Sequence, residues 1–243
     1  MCYNNKYVPY FYKSIIYMHR KDLSFMYPIN LILDDKECLI LGGGAVAAQK
    51  VQGLLDAGAA VTVLSPSLCP PLQERADRGD ITWLKKLYED GDESPFYLII
   101  CASNDSETNS ACAAAALSQH KLVNVCDAPQ ESNWTTPSVV RRGDILCSIS
   151  SNGKSPAFTR WMRHHLEQEI TPDWSRWLDR LAVIRQEVRS QIPSGKDRQA
   201  FWRSSLTDEL MEQALGGQMD EAEQVLWQKL AFWLIGKGGP HAS

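Results

Sequence analysis

The chain has 243 residues and a formal charge of −4, from 25 Lys plus Arg against 29 Asp plus Glu. At about 150 residues per domain, that length allows one large module or two small ones. The acidic balance excludes the footprint of a nucleic-acid or anionic-membrane binder, and the 44% hydrophobic content excludes wholesale disorder. No apolar run approaches the ~18–20 residues of a membrane span.

Residues 1–25 are rich in tyrosine and carry Lys6, Lys13, Arg20 and Lys21. They lack both the apolar core and the small-residue cleavage site of a secretory signal. Two readings stand for them, a genuine extension or translation beginning at Met26, and the second is preferred. Met26 opens a strand-like run, MYPINLIL, which the Asp34-Asp35-Lys36 turn closes.

From Glu37 strands and helices alternate. Glu37 to Leu41 is a strand running into glycines, and Val46 to Ala57 places Val46, Lys50, Val51, Leu54 and Leu55 at helical spacing, with Gly58 as the stop. Val61 to Leu64 is the next strand, broken by Pro66, and Ile81 to Leu84 is a third. Phe96 to Ala102 is a continuous apolar run, as a strand buried on both faces requires. Glu107 to His120 is an alanine-rich helix and Leu122 to Cys126 a strand. This alternation predicts a doubly wound α/β fold with a parallel sheet.

Beyond Asp127 the texture changes. Pro137 to Gly143 and Ile145 to Ser150 flank a Gly143-Asp144 turn and read as a hairpin. A polar loop, Ser151 to Pro156, leads to a helix from about Ala157 to Glu169, which Pro172 ends. The remainder is helical, with breaks at Pro193-Ser194-Gly195 and Gly216-Gly217. Its tryptophans (Trp174, Trp177, Trp202, Trp227, Trp233) are read as core. The domains expected are 1–25 (extension), 26–136 (nucleotide-binding), 137–169, 170–237 (helical) and 238–243 (tail).

The most informative motif is Gly42-Gly43-Gly44-Ala45-Val46-Ala47, a G-x-G-x-x-A loop between a strand and a helix. Gly42 allows a tight turn, Gly44 lets backbone approach a pyrophosphate, and Ala47 lets the helix pack close to the sheet. The diphosphate then rests on unpaired N–H groups at the helix start. About 20 residues on, where an Asp or Glu would hold the ribose, stands Leu64-Ser65-Pro66-Ser67, with neither acid nor arginine, so NAD and NADP stay undecided on residues alone.

Asp127 follows a sheet strand, where ligands of open α/β sheets bind, so it is a candidate general acid or base; a turn-capping role is the alternative. Asp105 or Ser106 reads as an N-cap. Ser150, Ser151 and Lys154 offer an anion cradle, against a plain linker in which Ser155 caps the next helix. Seven scattered cysteines without a C-x-x-C pair argue against a disulfide scaffold or thiolate zinc site, and for a reducing, cytoplasmic setting. His164 and His165 are adjacent, hence about 100° apart on a helix, and do not clamp one metal; no metal site is expected.

The runs LILDDKECLILGGGAVAAQKVQGLLDAGAAVTVLSP, CASNDSETN, VNVCDAP, TPSVVRRGDILCSISSNGKSPAF and RWMRHHLE resemble the precorrin-2 dehydrogenase / sirohydrochlorin ferrochelatase family, the amino-terminal half of siroheme synthase. The resemblance spans about Met26 to Glu169. It implies a Rossmann-like domain, a small α+β dimerisation segment at Pro137 to Glu169 and a helical domain, in a homodimer.

The activity it implies is NAD-dependent oxidation of precorrin-2 to sirohydrochlorin, with Fe2+ insertion in some members. Asp127 then matches the residue implicated in catalysis. Gly42, Gly44, Ala45, Val46, Pro66, Ser67, Ala102 and Ser103 match cofactor contacts, and Ser151 a position near the tetrapyrrole, with Lys154 beside it. Two departures from the family pattern are Ser103-Asn104-Asp105 for Thr-Asp-Asp, and Asn152 where glycine is common; Asn tolerates a left-handed backbone. Arg141, Arg142, Lys154, Arg160 and Arg163 are candidates to pair substrate carboxylates, against a solvated charged face. The competing class is an NAD-binding sensor without turnover, and a dehydrogenase without chelatase activity is a third reading.

Overall fold

The structure, a computed structural model, describes residues 26–237. The reading of residues 1–25 as an extension therefore lies outside the described residues, as do Cys2 and the tail. The chain divides between Thr136 and Pro137 into two units.

The first unit is a five-stranded parallel sheet: β1 (Glu37–Leu41), β2 (Ala60–Leu64), β3 (Thr82–Leu84), β4 (Leu98–Cys101) and β5 (Leu122–Val125), in the order β3-β2-β1-β4-β5. Its helices are α1 (Ala45–Leu55), α2 (Pro70–Arg78) and α3 (Ser106–Ser118). Both faces of the sheet are covered, and strand alternation decides which side chain goes where. Cys38 and Ile40 turn to the face that holds Ala47, Val51 and Leu54 of α1. Leu39 and Leu41 turn to the other, against Cys112, Ala113 and Ala116 of α3. Leu39 is fully buried, so Leu39→Ala costs about 2–5 kcal/mol.

One expectation needed correction here. Residues 26–33 form no strand: no strand of the sheet pairs with them, Tyr27 and Ile32 lie exposed, and only Leu33 reaches the core. The helix α2 was not among the elements expected. Pro70 and Pro71 occupy the first positions of α2, where their fixed φ and missing N–H suit a helix start. The helix buries Leu72 alone, too little to register as periodicity.

The second unit opens with the expected hairpin, β6 (Ser138–Arg142) and β7 (Ile145–Ile149), which pair from Ser138↔Ile149 to Arg142↔Ile145. Gly143 (φ 54°) supplies the positive φ of its two-residue turn, and a Cβ there would collide with the Ser175 hydroxyl. Five helices follow: α4 (Pro156–Glu169), α5 (Pro172–Gln191), α6 (Gly195–Ser205), α7 (Asp208–Leu215) and α8 (Met219–Lys237). Pro172 begins α5 rather than ending α4, whose C-cap is Ile170. Trp177, Ile184, Phe201, Leu210 and Leu226 form the helical core. Trp202, Trp227 and Trp233 pack around it, whereas Trp174 lines an open groove with Met211 and Glu212.

Candidate nucleotide site and the carboxylate beside it

Strand order reverses at β1 and β4, the switch point where open α/β sheets bind ligands. Gly42 leaves β1 with φ 120°, and its N–H donates to the Leu64 carbonyl at 2.9 Å. A Cβ on Gly42 would stand 2.5 Å from Ala102 O and 2.8 Å from Ser103 N. Gly43 is equally constrained, because a Cβ there would collide with the Ser67 carbonyl and lie 2.8 Å from Ser65 Oγ. Its own carbonyl accepts from Cys69 N–H at 2.7 Å, tying the loop after β2 to the glycine turn.

Gly44 differs. A Cβ there would meet nothing within 4 Å, and Gly44 is the N-cap of α1 without a side-chain cap. The helix start therefore presents uncapped N–H groups to open space, flanked by exposed Ala45 and Val46. A diphosphate fits that opening. On the β2 side, Pro66 and Ser67 are exposed and Ser65 is buried.

Ala102 and Ser103 follow β4 and close the far side of the turn. The Ser103 hydroxyl donates to Asn109 Oδ1 at 2.7 Å and accepts from Asp105 N–H at 3.2 Å, and Asn109 Nδ2 returns a bond to Ser103 O at 3.0 Å. Ser103 is thus held by a buried asparagine, and its backbone rather than its hydroxyl faces the glycine loop. Asp105 is the N-cap of α3. Hydrogen bonds from the Thr108 hydroxyl, then from the Thr108 and Glu107 amides, hold its carboxyl below the usual range.

Asp127 stands exposed two residues beyond β5, which pairs with β4. A solvent-reached carboxylate at that edge can take or return a proton. Burial raises three thiols of this unit. Burial pushes the Cys126 thiol up, Lys50 pulls it down and Asp127 pushes it up further. Burial, then Glu37, raises Cys38 to about 11, and the Cys112 hydrogen bond and burial raise Cys101.

The other predicted positions belong to the second unit. Ser151 Oγ accepts from Ser155 N–H at 3.1 Å, and Ser155 caps α4 through Phe158 N–H. Asn152 adopts φ 54°, the left-handed conformation that its tolerance allows. Lys154 is exposed. Arg142 is not available to a substrate: its guanidinium donates to Ile170 O at 3.0 Å, Glu167 O at 3.1 Å and Arg141 O at 3.0 Å, closing the end of α4.

Gly43 and Asn109 are the positions that the sequence reading missed. A glycine at the free position of G-x-G was the available sign for the first; nothing marked the second. Among the described residues there is no cluster of three or more His, Cys, Asp or Glu able to hold a metal, and no helix long and apolar enough to cross a membrane.

A glycine turn at the switch point of a parallel sheet, with an uncapped helix behind it, defines a dinucleotide-binding α/β domain. Residues 29–138 match the family described as "Putative NAD(P)-binding", residues 148–169 "Sirohaem biosynthesis protein central" and residues 173–230 "Sirohaem synthase dimerisation region". The siroheme synthase of Methylococcus capsulatus is 42% identical over 200 residues, covering 82% of this chain and 42% of that protein. That of Methylobacillus flagellatus is 35% identical over 222 residues, covering 88% and 47%. The chain is similar to part of the siroheme synthases, and it spans under half the length of these relatives. A solved structure titled "SirC, precorrin-2 dehydrogenase" shares the fold, with a TM-score of 0.70 and 22% identity over 85% of this chain and 100% of that one.

Proposed function

We propose that the chain oxidises precorrin-2 to sirohydrochlorin with NAD+, as a cytoplasmic homodimer. The observation that carries this reading is the exposed Asp127 carboxylate at the end of β5, next to the strand whose end backs the glycine turn. The relatives named as siroheme synthases support the substrate class.

Precorrin-2 becomes sirohydrochlorin by losing one hydride and one proton. When bound, NAD+ supplies the hydride acceptor. Gly42, Gly44, Ala45, Val46, Pro66, Ser67, Ala102 and Ser103 shape its cradle, and Asp127 receives the proton. Ser151 and Lys154, on the loop before α4, are assigned to substrate binding. Dimerisation is assigned to the second unit, whose exposed Phe158, Trp161 and His165 stack in a row along α4. Insertion of Fe2+ as a second substrate requires two pyrrole N–H protons to leave, a task for the same carboxylate.

The test is an anaerobic assay with precorrin-2 and NAD+, following NADH and sirohydrochlorin absorbance, then adding Fe2+. NADH formation is expected, and loss of free sirohydrochlorin faster than without protein adds the chelatase. NAD+ binding without turnover would instead favour the sensor reading.

A further inference from the structure

Lys50 was part of a helical pattern in the sequence, and the chemistry so far gives it no task. It lies on α1 beside the buried stripe of Ala47, Val51 and Leu54, and is itself half-buried. Helical side chains lean toward the helix start, which here is the carboxyl edge of the sheet. Its Nζ donates to Thr136 Oγ1 at 3.2 Å, at the last residue of the first unit. The charges of Lys50 and Asp127 both act on the Cys126 thiol, so the ammonium shares the surroundings of the β5 end.

Four other cations of this unit are already engaged. Arg75 and Arg78 pair with Asp80, Lys86 with Glu89 and Asp92, and Lys121 donates to the Ser94 and Phe96 carbonyls. Among the described residues Lys50 makes no ion pair, and one neutral hydroxyl uses one of its three N–H donors. An ammonium with free donors near the β5 end is placed to take an anion from outside.

We propose that Lys50 binds a carboxylate of the substrate, anchoring the polycarboxylate macrocycle beside Asp127. This rests on the reading of the substrate as precorrin-2, which bears eight carboxylates. An anionic substrate is repelled by the carboxylate that must take its proton, and a fixed cation between strand edge and helix offsets that repulsion.

The test measures anaerobic binding of sirohydrochlorin and, separately, of NAD+ to the purified chain, with urea midpoints as a control for folding. Lys50→Gln is expected to weaken sirohydrochlorin binding about tenfold or more, as loss of a charge-assisted bond implies, with NAD+ affinity and midpoint unchanged. Lys50→Arg is expected to restore most of the affinity, and Thr136→Val to leave it intact. Unchanged sirohydrochlorin binding in Lys50→Gln overturns the inference alone, as does an equal loss in Thr136→Val, which would make the pair a structural latch. A wild-type chain that binds NAD+ but no sirohydrochlorin overturns the substrate reading and this inference together.

Discussion

The ends of β1 and β4 meet as bare backbone at Gly42 and Ala102, where a Cβ on Gly42 would stand 2.5 Å from the Ala102 carbonyl oxygen. Gly42 also holds φ 120°, which L side chains rarely adopt. Gly44, two residues on, has open space and φ −89°. The two glycines therefore separate structure from binding. Gly42→Ala is expected to lower stability by about 1–3 kcal/mol from backbone strain, and NAD+ affinity with it. Gly44→Ala is expected to cost under about 1 kcal/mol yet to weaken NAD+ tenfold or more, because the methyl fills the diphosphate opening. Urea midpoints and NADH fluorescence titrations read both. Undiminished NADH binding by Gly44→Ala would move the diphosphate elsewhere.

Glu93 is the buried carboxylate of the first unit, 1% exposed. It accepts from Tyr88 Oη at 2.7 Å, Gln119 Nε2 at 2.8 Å and Gly91 N–H at 3.1 Å. Burial pushes its pKa up, but the hydrogen bonds, led by Tyr88, outweigh burial and leave it lowered from the ordinary 4.5. A lowered folded pKa stabilises fully above the unfolded value, and the contribution is lost as pH falls through the folded one. Glu93→Gln is expected to lose about 1–3 kcal/mol at pH 7, since a carboxamide brings a donor against three donors. Urea unfolding at neutral pH and in acid below 4.5 checks the sign: the gap between wild type and variant should narrow in acid. A gap independent of pH would assign the loss to packing.

The sheet was legible in the sequence because its strands are buried on both faces, so Leu98 to Cys101 reads as one apolar run. The glycine loop was legible because its spacing is imposed by contacts that only backbone can make. Residues 26–33 misled because alternation reports a tendency to pair and does not supply a partner. The helix from Pro70 to Arg78 stayed hidden because a single buried leucine leaves no stripe. Lys50 acts through a residue distant in sequence and Asn109 through the loop that folds back onto α3, and one chain read linearly does not reveal which hydroxyl or amide will face them. Arg142 read as a substrate-facing cation for the same reason.

Arg142 caps carbonyls at the end of α4, and the next arginine, Arg141, is exposed on the facing side of its strand. Arg142→Ala is expected to destabilise the second unit by about 1–3 kcal/mol, while Arg141→Ala stays within about 0.5 kcal/mol. Thermal and urea unfolding measure both. A stable Arg142→Ala protein with a raised KM for precorrin-2 would return Arg142 to substrate binding.

Trp134 packs against the α1 side of the core, and its indole Nε1 is buried with no hydrogen-bond partner. An unsatisfied buried donor costs about 1–3 kcal/mol, and Phe keeps much of the ring while removing it. Trp134→Phe is accordingly expected to leave the urea midpoint unchanged or to raise it. A fall of more than about 1 kcal/mol would show that the lost ring volume outweighs the lost donor.

Asp127 makes the sharpest test because it is exposed, so its replacement need not disturb the fold. Asp127→Asn keeps shape and removes only the ability to take a proton. The expected result is wild-type NAD+ affinity and urea midpoint, with turnover of precorrin-2 reduced about 10²–10⁴-fold, the usual share of a positioned base. A parallel loss of NAD+ affinity would indicate that the carboxylate shapes the nucleotide cradle instead. Wild-type turnover in the variant would mean that water at this open edge takes the proton, since the raised thiols of Cys101 and Cys126 offer no alternative base.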